Sequence, residues 1–309
     1  MRFGILSDLH IDLNDPSAVV AQNRVLRGLL RAVESQRPDV LVLAGDISND
    51  YRTTLEALEY LRRQAGVPCL FVPGNHDLWN EEPDPEAEGA ALSRTRAAPS
   101  AGLEAWGPWK SYEALQAFPE NLSRGPLELP GGWLAVGDTG WYDYSFGDPS
   151  FSLADFDRMQ LEGRLWQDKV RAPWGRSTRD MHRWFLQRLE RRLEARRGGR
   201  PLLLVTHVVP HESFTVRPAD RMWSYLNAFL GSPEYGRLAV ASGATLAVCG
   251  HVHYRRRHTE GSTLFVCNCL GYASEWGANQ DPALEAERAL LTWSSEAPRG
   301  GRAPATSGP

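Results

Sequence analysis

The sequence predicts an α/β protein in which helices pack against sheets of buried strands. Short apolar runs of four to six residues recur along the chain, as expected for strands covered on both faces. Amphipathic helical patterns separate the first three runs, and this order is typical of layered α/β folds. The chain has 309 residues, which is long enough to bury a sizeable core.

Each predicted element follows from its own pattern. The strand pattern occurs at residues 3–6, 40–44, 69–72, 133–136, 202–205, 245–249 and 263–266. Apolar residues recur with helical spacing over residues 25–33 and again over 55–61. A third amphipathic helix is predicted over residues 178–196, and Ser177 or Thr178 provides its start.

The predicted domain spans residues 1–294, with two inserted stretches that interrupt the strand–helix alternation. Residues 79–130 are rich in Pro, Ala and Glu, and residues 141–177 in Trp, Asp, Arg and Phe. Seven of the eleven tryptophans lie at positions 106–184, so we expect an ordered cap there and not a linker. If this cap is a separate specificity element, deleting residues 143–175 should change substrate preference and leave metal content intact.

Composition excludes several classes of protein. The formal charge of −4 gives no basic field for non-specific nucleic-acid binding. No apolar run approaches the roughly 18 residues of a membrane span, and the N-terminus has no signal-peptide pattern. The four cysteines (Cys69, Cys249, Cys267 and Cys269) lie in or beside predicted strands, which predicts buried free thiols in a cytoplasmic protein. Residues 295–309 are predicted to be a disordered tail.

Polar side chains directly follow five of the predicted strands. The five blocks are Asp8-Leu9-His10, Gly45-Asp46, Gly74-Asn75-His76-Asp77, Thr206-His207 and Gly250-His251-Val252-His253. Ligands of open α/β sheets bind beyond the carboxyl ends of the strands, so we expect these blocks to meet at one rim. Residues two apart on an extended segment point the same way, so each Asp-x-His or His-x-His pair can bind one ion.

Seven of these side chains are candidate metal ligands: Asp8, His10, Asp46, Asn75, His207, His251 and His253. Imidazole, carboxylate and amide groups without a thiolate suit Mn, Fe, Zn and similar divalent ions. Seven donors are too many for one tetrahedral site and fit two ions that share a carboxylate. Two ions ~3.5–4 Å apart recur in phosphoryl chemistry, where they activate a water and neutralise charge on the phosphoryl oxygens. The predicted cofactor is two divalent ions, with Mn first and Fe, Zn or Ni open.

In this order and spacing, the five blocks resemble the calcineurin-like metallophosphoesterase superfamily. The resemblance covers residues 8–253 and implies a four-layer α/β/β/α sandwich. It implies that Asp8, His10, Asp46 and His253 hold a first metal ion. It implies that Asp46, Asn75, His207 and His251 hold a second, so that Asp46 bridges the two. His76 resembles the family's general acid, which protonates the leaving alkoxide or contacts the phosphate.

The sequence departs from one branch of that family after Asp46. In the protein Ser/Thr phosphatases, a further Asp orients the acid histidine and an Arg binds phosphate. The corresponding positions here are Asn49 and Asp50, so the arginine is missing. We expect Asn49 to orient His76, with Asp50 as the second candidate, and the departure weighs against a protein phosphatase.

Other residues near the motifs have less specific interpretations. His182 is predicted to be an ordinary residue of its helix, whereas His211 is either structural or at the edge of the substrate site. The basic residues 255–257 are predicted to form a solvated loop, with a phosphate-attracting lip as the alternative. Asp77 is predicted to orient neighbouring ligands by hydrogen bonds.

The second inserted stretch has two interpretations. Its aromatic residues either pack as a plain subdomain or form a stacking surface for an organic group of the substrate. Arg158, Arg164 and Arg171 within it are candidates for contact with a substrate phosphate. Nothing in the sequence places them beside the metal ligands.

The sequence therefore predicts a metal-dependent phosphoesterase, a phosphodiesterase or small-molecule phosphatase, that acts on a small phosphate ester. The alternatives are a nuclease of the same superfamily, a protein phosphatase and a non-catalytic binding module with the same fold. A binding module should have lost ligands, whereas this chain retains all seven together with His76. Nucleic acid is expected only as the substrate of a nuclease, and no membrane partner is expected.

Overall fold

The computed structural model describes residues 1–17, 19–79, 107–195, 199–277 and 280–295. The strands, numbered in chain order, are Arg2–Leu6 (β1), Val40–Leu43 (β2), Cys69–Phe71 (β3), Leu127–Glu128 (β4), Leu134–Asp138 (β5), Gln160–Leu161 (β6), Arg164–Leu165 (β7), Leu202–Thr206 (β8), Leu246–Cys249 (β9), Arg255–Glu260 (β10), Thr263–Asn268 (β11) and Leu291–Ser294 (β12). The α-helices are Ile11–Asn14 (α1), Arg24–Gln36 (α2), Tyr51–Gln64 (α3), Gly107–Ala114 (α4), Leu153–Asp157 (α5), Asp168–Arg171 (α6), Thr178–Glu194 (α7), Arg221–Leu226 (α8), Pro233–Ala241 (α9) and Pro282–Ala289 (α10).

Two main sheets form the centre of the fold. The first has the order β12-β1-β2-β3, and the second has the order β10-β11-β9-β8-β5-β4. The inner strands of each sheet are parallel, and antiparallel strands close the edges formed by β12, β10 and β4. The parallel strands direct their carboxyl ends to one side, where ligand sites of such sheets form.

The apolar side chains divide into three layers of packing. One cluster lies between the two sheets and contains Ile5 and Val42 from the first sheet and Val205 and Val248 from the second. A second cluster joins the outer face of the first sheet to α2, α3 and α10. A third joins the outer face of the second sheet to α7 and α9. The order helix, sheet, sheet, helix is the four-layer α/β/β/α sandwich that the sequence resemblance implies.

The helices begin where the sequence provides a capping side chain. Asn23 accepts a hydrogen bond from the Leu26 backbone N–H at the start of α2, and Ser177 accepts one from Asp180 at the start of α7. The predicted helices over residues 25–33, 55–61 and 178–196 correspond to α2, α3 and α7.

The C-terminal part of the second sheet corrects one expectation. Residues 255–257 belong to β10 and do not form a solvated loop. This strand pairs antiparallel with β11 along six residue pairs, from Arg255 with Asn268 to Glu260 with Thr263. It lies at the sheet edge, and its exposed charged side chains are typical of strands that end a sheet. The elements α10 and β12 also form in a region where no helix or strand was predicted.

The inserted stretches are described only in part. Residues 80–106 of the first stretch lie outside the described residues, as do residues 296–309 of the predicted tail. The second stretch contains α5, the β6–β7 hairpin and α6, and buries aromatic side chains such as Trp141, Tyr142 and Trp174. In the described ranges, no helix combines the length and hydropathy that crossing a membrane requires.

Candidate metal centre

The loops that follow β1, β2, β3, β8 and β9 bring all seven candidate ligands together. The ligand atoms of Asp8, His10 and His253 lie within 4.8 Å of one another, and those of Asp46, His207 and His251 do so as well. Asn75 joins the second group, since its Oδ1 lies 3.0 Å from His207 Nε2. The five sequence blocks therefore converge at one rim, as expected from their positions after parallel strands.

The backbone at this rim is unusual. Asp8, His10, Asp46, His251 and His253 all have positive φ angles, between 41° and 75°. A non-glycine residue in this region is uncommon and costs of order 1 kcal/mol or more. Five such residues in one cluster indicate that the fold tolerates strain here to direct these side chains inward.

Two glycines allow the loops to approach each other closely. A Cβ atom at Gly74 would collide with the Asp46 carboxylate and backbone nitrogen. Gly45 has a φ of +89°, and a Cβ there would lie 2.7 Å from His207 Nδ1. No larger residue fits at either position without movement of a candidate ligand.

The first group of donors contains Asp8, His10, Asp46 and His253. His10 Nε2 lies 3.1 Å from His253 Nε2 and 3.9 Å from Asp46 Oδ2. His253 Nε2 lies 3.6 Å from Asp8 Oδ1. The ring of His10 is fully buried, and its Nδ1 has no hydrogen-bond partner among the described residues.

The second group contains Asp46, Asn75, His207 and His251. Asn75 Oδ1 lies 2.9 Å from His251 Nδ1, and His207 Nε2 lies 3.1 Å from that nitrogen. Asp46 Oδ2 lies 3.4 Å from His207 Nε2. Donors around an ion at metal–ligand distances of ~2.1 Å are separated by about 3.0–3.4 Å in octahedral or tetrahedral arrangements, which matches these separations.

Hydrogen bonds behind these donors fix which atom faces the centre. His207 Nδ1 donates to the Ala44 carbonyl over 2.7 Å, and His251 Nε2 donates to the Phe229 carbonyl over 3.1 Å. In their neutral forms, His207 Nε2 and His251 Nδ1 then present lone pairs to Asn75 Oδ1. Three acceptor atoms 2.9–3.1 Å apart repel one another unless positive charge lies between them. This set of ligand atoms therefore fits a bound cation.

The pKa values of these groups reflect burial and mutual repulsion. Burial, with the charges of neighbouring histidines, lowers the pKa of His10 and His251 well below the usual value, which favours the neutral, metal-binding form. Burial also lowers the pKa of His207, but Asp46 outweighs this effect and the result is a pKa of about 9, so in the metal-free protein His207 carries a proton that a bound cation would replace. Burial raises the pKa of Asp46. The Asp46 carboxylate thus favours positive charge among the ligands of the second group.

His76 lies beside Asp46, whose carboxylate faces both groups. Its Nε2 lies 3.9 Å from Asp46 Oδ2, and its Nδ1 lies 2.6 Å from Asn49 Oδ1. Asp50, the second candidate for orienting His76, is directed elsewhere. Its carboxylate accepts hydrogen bonds from the backbone N–H groups of Arg52 and Thr53 and caps α3. Of the two candidates, the structure places Asn49 on the His76 ring.

The family assignment agrees with this geometry. The family model described as calcineurin-like phosphoesterase matches residues 1–255. The chain belongs to the calcineurin-like phosphoesterase family. It is therefore a hydrolase that acts on phosphoric esters, and the family implies small phosphate-ester substrates and a dinuclear site for divalent ions. No curated protein matches the chain significantly.

The chain of this phosphoesterase is similar to several solved structures. The phosphopantetheinyl hydrolase from Mycobacterium tuberculosis superposes with a TM-score of 0.69 at 19% identity, covering 97% of this chain and 98% of that one. A protein of Thermus thermophilus, TT1561, has a TM-score of 0.47 at 15% identity, covering 89% and 90%. A dimetal phosphatase from Danio rerio has a TM-score of 0.42 at 15% identity, covering 86% of each chain.

Asp77 supports the loops of the phosphoesterase as predicted from its place in the motif. Its carboxylate accepts hydrogen bonds from the backbone N–H groups of Asp46 and Gly74 at 2.8 Å, of Ile47 at 2.9 Å and of Ser48 at 3.3 Å. Burial, with the nearby Asp46, raises the pKa of Asp77 to about 7. This one side chain connects the loops that follow β2 and β3.

Sequence analysis missed four residues that contact the centre. Asp168 Oδ1 accepts a hydrogen bond from Asn75 Nδ2 over 2.8 Å, and Glu275 Oε2 lies 2.7 Å from His253 Nδ1. The Tyr272 hydroxyl lies 3.4 Å from His76 Nε2, and the Trp79 ring stacks on His76 with a centroid distance of 3.6 Å. Of these four residues, only Trp79 lies next to a sequence motif, and that position was the one sequence signal that could have indicated its contact with the centre.

The remaining histidines make other contacts. In α7, His182 Nε2 lies 2.6 Å from Glu234 Oε2, and His182 Nδ1 lies 3.1 Å from the Trp141 carbonyl oxygen. His211 Nδ1 accepts a hydrogen bond from the Ser213 backbone N–H, and its ring stacks on His258. The contacts described for these two histidines thus lie outside the candidate metal centre.

Proposed function

We propose that this phosphoesterase is a phosphodiesterase or small-molecule phosphatase that uses two divalent ions, with Mn²⁺ first among the candidates. The observation that supports it is the position of His76 beside Asp46, the carboxylate common to both donor groups. An acid group next to the shared ligand is placed for transfer of a proton to an oxygen that leaves phosphorus. The buried free cysteines agree with a cytoplasmic location.

In this proposal each donor group holds one ion. Asp8, His10, Asp46 and His253 would hold the first, and Asp46, Asn75, His207 and His251 the second. When bound, the ions would provide Lewis-acid charge and activate water for in-line attack. The Ala44 and Phe229 carbonyls fix the tautomers of His207 and His251 so that each directs a lone pair inward.

His76 would protonate the leaving oxygen. Asn49 Oδ1 accepts the hydrogen on His76 Nδ1, so the proton given to the leaving group is the one on Nε2 of the imidazolium. Burial, with the neighbouring histidines, lowers the pKa of His76 and makes the imidazolium a stronger acid. The Trp79 ring packs on one side and restricts the imidazole to this orientation.

A small substrate is favoured over a phosphoprotein. The residues after Asp46 that would orient the acid histidine and bind phosphate in protein phosphatases are Asn49 and Asp50 here, and Asp50 caps a helix. A nuclease would favour a basic groove, which the net charge of −4 does not suggest. The fold shared with the phosphopantetheinyl hydrolase makes a phosphopantetheinyl ester a reasonable substrate to include in a panel.

The test compares a diester with a monoester. Metal-stripped protein would be assayed with added Mn²⁺ on bis(4-nitrophenyl) phosphate and on 4-nitrophenyl phosphate. The proposal predicts metal-restored cleavage, with diester preference for a phosphodiesterase and monoester preference for a small-molecule phosphatase. His76→Ala should lower kcat by about 10²–10⁴-fold without loss of metal. Absence of cleavage of either ester by the metal-loaded wild-type protein would contradict the proposal.

A further inference from the structure

The short helix α6 of the second inserted stretch is firmly attached to the metal centre at its first residue. The Asp168 carboxylate accepts hydrogen bonds from Asn75 Nδ2 at 2.8 Å and Trp79 Nε1 at 2.7 Å. It accepts two more from Trp166 Nε1 at 2.9 Å and the Tyr142 hydroxyl at 3.2 Å. Asp168 is 3% exposed, so these bonds lie in a buried environment and fix the position of α6.

The last residue of α6 is a half-buried arginine that reaches back toward the acid histidine. The guanidinium carbon of Arg171 lies 4.9 Å from the centre of the Trp79 ring. That ring stacks on His76 at a centroid distance of 3.6 Å and an interplanar angle of 28°. His76, Trp79 and Arg171 are thus in consecutive contact.

Among the described residues, the Arg171 guanidinium makes one hydrogen bond. Its Nε donates to Gln167 Oε1 over 3.3 Å, a neutral partner one turn earlier. In the described part of the chain, no carboxylate forms an ion pair with Arg171. By contrast, Arg158 of the same stretch pairs with Asp155, and Arg188 pairs with the buried Asp138. A positive charge held in place without a carboxylate partner is suited to binding an anion.

We propose that Arg171 binds an oxyanion, a carboxylate or phosphate, on the leaving group of the substrate. Its contact with the Trp79 ring, which stacks on His76, places the guanidinium next to the acid histidine through one intervening side chain. The substrate class is then a phosphoester whose leaving group carries a further negative charge. This inference rests on the proposed function, because it uses the role of His76 as the acid.

The experiment compares two chromogenic diesters that differ by one carboxylate on the leaving group. The probes are methyl 4-nitrophenyl phosphate and methyl 3-carboxy-4-nitrophenyl phosphate, assayed with the Mn²⁺-loaded full chain. The quantity measured is the ratio of kcat/KM for the carboxylated ester to that for the uncharged one. Taking this ratio in each protein removes the intrinsic difference in reactivity between the esters.

We expect Arg171→Gln to lower that ratio about tenfold, chiefly through KM for the carboxylated ester, as expected for loss of a charge-assisted hydrogen bond. Arg171→Lys should restore part of it, because the charge remains but the planar fork does not. Arg176→Gln, at an exposed position near the end of the same stretch, is the matched control and should leave the ratio unchanged.

Two results would overturn the inference. One leaves the proposed function intact, and the other contradicts it as well. An unchanged ratio in Arg171→Gln, whether both esters lose activity equally or neither does, would contradict the role of Arg171 and leave the proposed function intact. Failure of the wild-type protein to hydrolyse either ester would contradict the proposed function itself, and the inference would fail with it.

Discussion

The Asn75 side-chain amide donates a hydrogen bond over 2.8 Å to Asp168, a residue 93 positions further along the chain. This bond directs Asn75 Oδ1 toward His207 and His251. The second inserted stretch is thereby joined to a candidate metal ligand. We therefore expect deletion of residues 143–175 to weaken metal binding, in contrast to the hypothesis of a separate specificity element.

Substitution of Asp168 tests this connection with less disruption. In Asp168→Asn, two of the four hydrogen-bond donors around the carboxylate would face an NH₂ group, and the negative charge that strengthens the bond from Asn75 would be lost. Loss of such supporting contacts typically costs 10–100-fold in metal affinity, and we expect a change of about that size. The measurement is calorimetric titration of the metal-free protein with Mn²⁺. Asp148→Asn, at an exposed position in the same stretch, is the control, and equal affinities in the two variants would contradict the connection.

The contact between Asn49 and His76 predicts a change in the pH dependence of catalysis. Asn49→Asp places a carboxylate where an amide oxygen lies 2.6 Å from His76 Nδ1. The negative charge stabilises the imidazolium and raises the pKa of His76, so the acid remains protonated to higher pH. We expect the alkaline limb of the kcat profile to move to higher pH, which a pH–rate series measures. An unmoved limb would show that Asn49 does not act on the catalytic proton.

Asp50→Ala distinguishes orientation of His76 from support of a helix. Its carboxylate caps α3 through Arg52 and Thr53, so its loss should lower the free energy of unfolding by about 1 kcal/mol. Metal content and kcat should stay at wild-type values in the folded protein. Denaturant unfolding measures the stability, and a parallel activity assay measures kcat. A large fall in kcat with unchanged stability would indicate that Asp50 orients His76.

The close approach at Gly74 predicts a severe effect from one methyl group. In Gly74→Ala, the added Cβ would collide with the Asp46 carboxylate and displace the ligand common to both groups. We expect loss of most bound metal, measured by elemental analysis of purified protein. Gly125→Ala is the matched control, because nothing lies within 4 Å of its added Cβ. Normal metal content in Gly74→Ala would mean that the loops are further apart than described.

The four cysteines should be unreactive in the native protein. All four are buried and free, and burial raises the pKa of Cys69 to about 12 and that of Cys249, Cys267 and Cys269 above the usual value. A thiol with a raised pKa and no access to solvent contains almost no reactive thiolate at pH 8. A disulfide-exchange reagent should label none of them rapidly in the folded state and all four in denaturant. Rapid labelling of any native thiol would contradict their burial.

The sequence was sufficient to predict the parts of the fold that depend on local patterns. Continuous apolar runs marked the buried strands, and the residues just after β1, β2, β3, β8 and β9 share one rim because parallel strands end on the same side. The convergence of Asp8, Asp46, Asn75, His207 and His251 follows from that rule alone.

Contacts between distant segments could not be predicted in this way. Asp168 and Glu275 lie in segments whose local composition gives no indication of a partner at the metal centre. The positive φ of Asp46 accompanies its close approach to Gly74, a contact between two loops that no single segment encodes. The strand β10 has a charged sequence that resembles a loop, and it forms because β11 provides a full antiparallel ladder.

The most direct test of the central claim is the number and coupling of bound Mn²⁺ ions, measured by elemental analysis together with electron paramagnetic resonance. The account predicts two ions per chain with a spin-coupled spectrum in the wild-type protein. It predicts loss of the coupling and of at least one ion in Asp46→Asn, since that carboxylate lies between both donor groups. One ion per wild-type chain, or two coupled ions and a wild-type rate in Asp46→Asn, would contradict a dinuclear centre bridged by Asp46.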